Sequence, residues 1–389
     1  MKANPVTDSS CNDQLLYFTS SSLTKDNKTL IFISDRTGNP NIFAKDLATG
    51  LERQLTLNQE GTLKSYVYFY GSSEKGLGKA SISFDAKRGI VYYIQGKDIC
   101  CTDLDGNVRK LNQLPAGQVT AFTAISTNGK KLCVPTTDER ALDTGNTSSN
   151  NITDNPDYDV DARVQNEHLN SYLRVYDTAT GEETLCEKVE HAWITHVQFC
   201  PTDPNLILYN HEWPADCDIR RMWLFDGKNH RRLRQEREGF RKEDWTCHEM
   251  WQPNGKYIIY HGKYKDETPY IGRVSISGND NCEIPLNTNC NRYGHFTVGN
   301  VHDNWLVSDG YYHPENVPED GNWAGEWISV QKVDWENKQI TWLPLCKHRS
   351  LWDCQDSHPH PIFDHSDCTV YFTANNRKGM RTIYSVSLP

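Results

Sequence analysis

The sequence predicts an all-β fold, a seven-bladed β-propeller with four-stranded antiparallel blades. Three observations lead there. Valine, isoleucine, tyrosine, phenylalanine and threonine fall in short runs separated by Asn, Asp, Gly and Pro, which is strand composition with turn punctuation. No stretch sustains a helical period. One pattern of about 40 residues also recurs along the chain: two short strands around a turn, a strand ending in Asp, a Gly-containing hairpin and a last short strand.

The first copy includes "SLTKDNKTLIFISDRTGNPNIFAKDLATGLERQLT" (22–56) and the second "SISFDAKRGIVYYIQGKDICCTDLDGNVRKL" (81–111). The third starts at 122–139 and resumes at 173–187, and the fourth covers 196–233. The fifth is 248–286, the sixth starts at 295–310 and resumes at 327–345, and the seventh is 360–388. One such sheet cannot bury both of its faces, whereas a ring of seven can, and it leaves few exposed edges. A sandwich pair or a solenoid does not account for two hairpins per copy. The expectation is a single propeller domain over 1–389, with polar insertion loops at about 137–172 and 310–326 and a shorter one at 211–220.

Bulk properties narrow the function. A formal net charge of −10 argues against nucleic acid as a partner. No apolar run approaches the roughly 20 residues of a membrane span, and the polar start "MKANPVTDSSCNDQ" has no apolar signal core. Thirteen cysteines without regular spacing read as free thiols in a reducing compartment, so the expected location is cytoplasmic.

Aligning the turns "CPTD", "QPNG" and "DHSD" puts His196, His248, His295 and His360 at one repeat position in four consecutive copies. Ser81 and Phe122 hold that position in the second and third. It begins the innermost strand, so these histidines are expected around one end of the central channel. The plain alternative is four imidazoles bonded to turn carbonyls between blades. In "LWDCQDSHPHPIF" (351–363), His358 and His360 are one residue apart, and strand alternation would aim both the same way. Gln355 lies just upstream, and His295 comes from the preceding copy. Three neutral imidazoles and an amide oxygen leave most of a divalent cation's charge uncompensated, with positions open for an anion. An oxygen-tolerant octahedral ion such as Mn²⁺ suits this set, although another divalent cation is possible; structural zinc favours closed, thiolate-rich sites. Cys247 should point away from His248 if its strand is regular. His248, in "DWTCHEMW" (244–251), offers an imidazole with a pKa suited to proton abstraction. In "DIRRMWLF" (218–225), either Arg220 or Arg221 should face the cleft, able to pair with a carboxylate, a surface salt bridge being the commoner use of a lone arginine.

At these residues the sequence resembles the oligogalacturonate lyases, polysaccharide lyase family twenty-two. The likeness is strongest over about 190–389 and rests on "YNHEWP" with "RRMWL", on "TCHEMWQPNGKYIIY", on the histidine of "RYGHF" and on "WDCQDSHPHPIF". Toward the start, only "LTKDNKTLIFISDRTGNPNIF" is similar to the family's first blade. The resemblance implies Mn²⁺ held by His295, Gln355, His358 and His360, with His248 as base and Arg221 neutralising the substrate carboxylate. It implies β-elimination from short oligogalacturonates, acidic fragments of pectin, to 4,5-unsaturated uronate products. His211, His196 and Glu212 would then meet sugar hydroxyls. The competing functions are a lyase for another uronate-containing oligosaccharide and a non-catalytic propeller that binds glycans or proteins. A peptidase is set aside, because the chain has no G-x-S-x-G and no room for a hydrolase domain.

Overall fold

The structure, a computed structural model, describes residues 1–389 except 8–9, 60–62, 65–76, 143–163, 165, 213–220, 235–244, 287–289, 293, 313–326, 351–356 and 377. The chain is an all-β, seven-bladed propeller built of four-stranded antiparallel sheets. Among the described residues the one named helical element is a 3₁₀ turn, Glu139–Leu142, and no helix is long and apolar enough to cross a membrane. Contacts divide the chain into two compact units.

One unit comprises Met1–Thr19, Pro214–Leu224 and His230–Pro389. It holds three complete blades. The first runs Trp245–Trp251, Tyr257–Lys263, Pro269–Ser275 and Asn281–Pro285 in order across the sheet. The second orders Phe296–Val298, Trp305–Ser308, Trp327–Asp334 and Gln339–Lys347. The third orders Ile362–Phe363, Thr369–Asn375 and Arg381–Ser387, and its fourth, outermost strand is Asn4–Pro5. Asn4 pairs with Ser385 and Pro5 with Tyr384. Proline tolerates this place because an outermost strand leaves one row of donors unused.

Strand alternation explains how these blades stack. Leu306 joins a core with Ile259, Ile271, Phe296 and Val333. Its neighbour Val307 joins a different one, with Ile328, Val330, Phe363 and Phe372. Consecutive side chains of one strand thus serve opposite faces of the sheet, so each layer is shared by two blades.

The other unit comprises Ser20–Trp213 and Phe225–Asn229. Its sheets include Thr29–Ser34, Asn41–Asp46 and Glu52–Gln54, and a blade of Ser83–Asp85, Ile90–Gln95, Asp98–Asp103 and Val108–Gln113. The next blade is Ala124–Ile125, Lys131–Asp138, Ser171–Asp177 and Glu183–Val189, followed by the pair Val197–Phe199 and Ile207–Asn210. Tyr92, Ile94 and Ile99 pack on Leu132, Val134 and Tyr176 in the same shared-layer manner. The insertion expected from 137 starts later than that, because Thr137 still pairs with Ser171 in the ladder. The rest of that insertion, and those at 211–220 and 310–326, lie mostly outside the described residues.

Candidate metal centre

Phe296 pairs with Ser308, so the register places Asp309 opposite His295, at the entrance to the inner strand. The Asp309 carboxylate is fully buried. Its Oδ1 accepts the backbone N–H of His295 at 2.7 Å, and its Oδ2 lies 3.2 Å from His295 Nδ1. A carboxylate accepting at Nδ1 places the ring hydrogen there and turns Nε2 into the metal-facing nitrogen. Oδ2 also accepts the backbone N–H of His360 at 3.1 Å, so one buried anion fixes two candidate ligands. Gly294 makes room for it: a Cβ there would overlap the Asp309 carboxylate and lie 2.9 Å from the amide nitrogen of Gly310.

His295, His358 and His360 do converge, with one donor atom of each lying within 4.8 Å of the others. The His295 ring centroid is 5.0 Å from His358 and 4.3 Å from His360, the latter nearly edge-on at 83°. The cause differs from the expected strand alternation. The inner strand starts only at Ile362, and His360 adopts a left-handed backbone, φ 46°. That bend, with the Pro359 carbonyl accepting the amide of Thr373 at 2.9 Å, brings the two rings to one spot. Gln355 lies outside the described residues.

His248 reaches the same place from the neighbouring blade, its ring centroid 4.5 Å from His295. It does not begin its strand as predicted but sits inside Trp245–Trp251, in a β-bulge. Cys247 pairs with His261 and Glu249 with Tyr260, leaving His248 as the extra residue, at φ 44°. A bulge re-aims side chains by one step. Cys247 therefore does not point away from His248: donor atoms of Cys247, His248 and His261 all lie within 4.8 Å of one another. His248 Nδ1 is 2.8 Å from Nε2 of the buried His261. Phe18 lies beneath, its ring centroid 5.3 Å from both His248 and His295 and 5.7 Å from His360, and Tyr17 is 4.9 Å from His360. Both rings are themselves buried, so this side of the cluster is an aromatic floor.

Arg221 is buried, and its Nε donates to Glu249 Oε2 at 2.7 Å. The guanidinium is thus held in place by the residue next to His248, and part of its charge is committed to that pair. Arg220 lies outside the described residues. His348, fully buried, accepts the Ser350 amide at Nδ1, 3.1 Å away. Burial pushes its pKa down to about 4, against the charge and backbone carbonyl of Asp309, which pull upward.

In the other unit, His196 repeats the geometry with one atom changed. Val197 pairs with Tyr209, placing Asn210 opposite His196 as Asp309 stands opposite His295. Asn210 Oδ1 accepts the His196 amide at 2.7 Å, and its Nδ2 is 3.1 Å from His196 Nδ1. Glu212 Oε2 accepts from Thr195 Oγ1 at 2.6 Å and is 3.4 Å from His196 Nδ1. An amide nitrogen thus stands where the first centre has a carboxylate oxygen, and Thr195 Oγ1, 3.0 Å from Nδ1, and Glu212 Oε2 are the oxygens beside that ring nitrogen. His211 is buried, its ring 5.8 Å from Tyr209.

Sequence reasoning missed Asp309, His261, Glu249, Phe18 and Gly294. The one available signal was spacing, since Asn210 and Asp309 each follow their histidine by 14 residues.

The three-histidine set fits a divalent cation. With metal–nitrogen bonds of about 2.0–2.1 Å, ligands on one ion stand roughly 3–4 Å apart, within small adjustments of the observed spacing. The buried carboxylate behind His295 is the usual second partner of a metal-bound imidazole.

The family model for oligogalacturonate lyase matches residues 165–389, more than half of the chain. An oligogalacturonide lyase of Pectobacterium atrosepticum is 30% identical over 227 residues, 55% of this chain and 54% of that protein. An oligogalacturonate lyase of Dickeya dadantii is 29% identical over 221 residues, with the same coverage. The chain thus spans about half the length of the curated relatives it matches. Among solved structures, an oligogalacturonate lyase of Vibrio parahaemolyticus superposes with a TM-score of 0.77 at 23% identity, over 100% of this chain and 93% of that one. An oligogalacturonate lyase in complex with manganese gives 0.76 at 22%, with the same coverage. Both share the propeller fold.

Proposed function

The chain belongs to the oligogalacturonate lyase family, and we propose that it cleaves short oligogalacturonates by β-elimination, leaving 4,5-unsaturated uronate products. The observation that carries this reading is the meeting of His295, His358 and His360, with His248 at ring distance from His295. His295, His358 and His360, with Gln355, would hold Mn²⁺, the ion named in the complex of the structural relative. When bound, the cation supplies positive charge for the uronate carboxylate, which acidifies the neighbouring C5 hydrogen.

The other roles fall to the chain's own groups. His248 takes the C5 proton. The base role requires the hydrogen between His248 Nδ1 and His261 Nε2, 2.8 Å apart, to rest on His248 Nδ1, which leaves the lone pair of its Nε2 for the substrate. Arg221, fixed by Glu249, adds a second positive group for the carboxylate. The C5–H electron pair becomes the C4=C5 double bond as the C4–O bond breaks, and the departing oxygen gains a proton in return for the one taken up by His248, so no water is consumed. The aromatic floor of Phe18 limits solvent on one side, which strengthens every charge interaction above it. His196, His211 and Glu212 are assigned to sugar hydroxyls. The reading treats 1–389 as one propeller domain in the cytoplasm, on the odd number and irregular spacing of its thirteen cysteines.

The test is to incubate purified, Mn²⁺-loaded protein with defined oligogalacturonates. The expected result is ultraviolet absorbance from the new conjugated double bond, with one metal ion per chain by elemental analysis. New reducing ends without that absorbance would indicate hydrolysis and reject the reading, as would full turnover in metal-free protein. Activity confined to a different uronate would reject the substrate alone.

A further inference from the structure

Resting on the assignment of His248 as base, we propose that Cys247, His248 and His261 form a second cation site, for a soft divalent ion such as Zn²⁺, and that filling it silences the enzyme. The site is a product of the bulge. Cys247 and His261 face each other in the ladder, which puts their side chains on one face of the sheet. In a regular strand His248 would project to the opposite face. The extra residue at φ 44° brings it back, so that a thiol and two imidazoles present donor atoms within 4.8 Å of one another.

Three such donors and one water are a zinc-like set. His248 Nδ1 and His261 Nε2 are 2.8 Å apart, a hydrogen-bond distance. Nitrogens sharing one tetrahedral ion stand about 3.3 Å apart for bonds of about 2.0 Å. A small swing of His248 supplies the difference. His248 and Cys247 are both partly exposed whereas His261 is buried, so the ion has a solvent side to enter from and a fixed ligand to rest on.

The two centres should sort metals by softness. The histidines at 295, 358 and 360 offer no sulfur and suit Mn²⁺. The cluster at 247, 248 and 261 offers a thiolate, which favours Zn²⁺ and discriminates against Mn²⁺. The Cys247 proton goes to solvent on binding, and the resulting negative charge offsets part of the repulsion from a cation bound nearby. The consequence for catalysis lies in the tautomer. An ion on His248 Nδ1 takes the lone pair there and moves the ring hydrogen to Nε2. A nitrogen that already carries hydrogen cannot accept the C5 proton.

The experiment uses Mn²⁺-loaded protein titrated with Co²⁺ and with Zn²⁺. Expected with Co²⁺ is a thiolate-to-cobalt charge-transfer band, absent in Cys247→Ser. Expected with Zn²⁺ is one further ion per chain, with Mn²⁺ retained and activity lost, and at least a tenfold weaker inhibition in Cys247→Ser. Absence of the band in wild-type protein overturns the site. So does inhibition that tracks release of Mn²⁺ and is unchanged by Cys247→Ser, because zinc is then replacing manganese at the first centre. If the band and the second ion form while activity persists, the site stands and the assignment of His248 as base falls.

Discussion

His248 and His360 share an unusual property: both hold a left-handed backbone that costs a residue with a Cβ roughly 1–2 kcal/mol. That cost is carried where two proposed functional rings must turn inward. Their side chains have different tasks, and substitution should separate them. His248→Ala is expected to lower kcat by about 10²–10⁴-fold, the range for loss of a general base, with bound metal unchanged by elemental analysis. His358→Ala should lose metal and activity together. Asp309→Asn tests the support behind both ligands: an amide nitrogen facing His295 Nδ1 removes its acceptor, and metal affinity should fall about 10–100-fold in a competition titration with a chelator. The chain already contains that pairing, in His196 with Asn210. The proposed histidine ligands could be picked out in the sequence because their spacing stood out. Asp309 and His261 were not, because an acid or a histidine on a second strand looks ordinary until the register sets it opposite the first.

At the scale of elements, the four-stranded copies could be read because each hairpin carries its own turn chemistry. The Asp of "KDLATG" accepts the amides of Ala48 and Thr49 at 3.0 and 2.7 Å, and those of "YDTATG" and "VDWENK" close their turns the same way. Local signals of this kind survive in one dimension. The bulge at His248 has no such signature: Thr, Cys, His and Glu in succession read equally well as an unbroken strand. Sharing of each apolar layer between two blades gives a sharp expectation. Leu306→Ala removes a fully buried side chain from the layer with Ile259 and Ile271 and should cost about 2–5 kcal/mol in denaturant unfolding. An exposed residue such as Val301, changed to Ala, serves as the near-neutral control.

At the scale of the whole molecule, buried His348 ties stability to pH. Its pKa of about 4 lies below the ordinary value of 6.5, so the folded chain refuses a proton that the unfolded chain accepts. The contribution is therefore present above pH 6.5 and is lost as pH falls from there toward 4, reaching roughly 3 kcal/mol. Urea midpoints measured across that window should drop in wild-type protein and flatten in His348→Gln. Composition pointed to the all-β class. It could not show where a buried, uncharged imidazole would sit, since that depends on the closed layers around it.

The pairing of Asn4 with Ser385 and Pro5 with Tyr384 sets an order of events in the cell. At a synthesis rate of about 5–20 residues per second, the segment that completes this sheet leaves the ribosome only after its partner has waited roughly 20–80 seconds. During that interval Asn4–Pro5 has no strand to pair with, so this blade is the last to close.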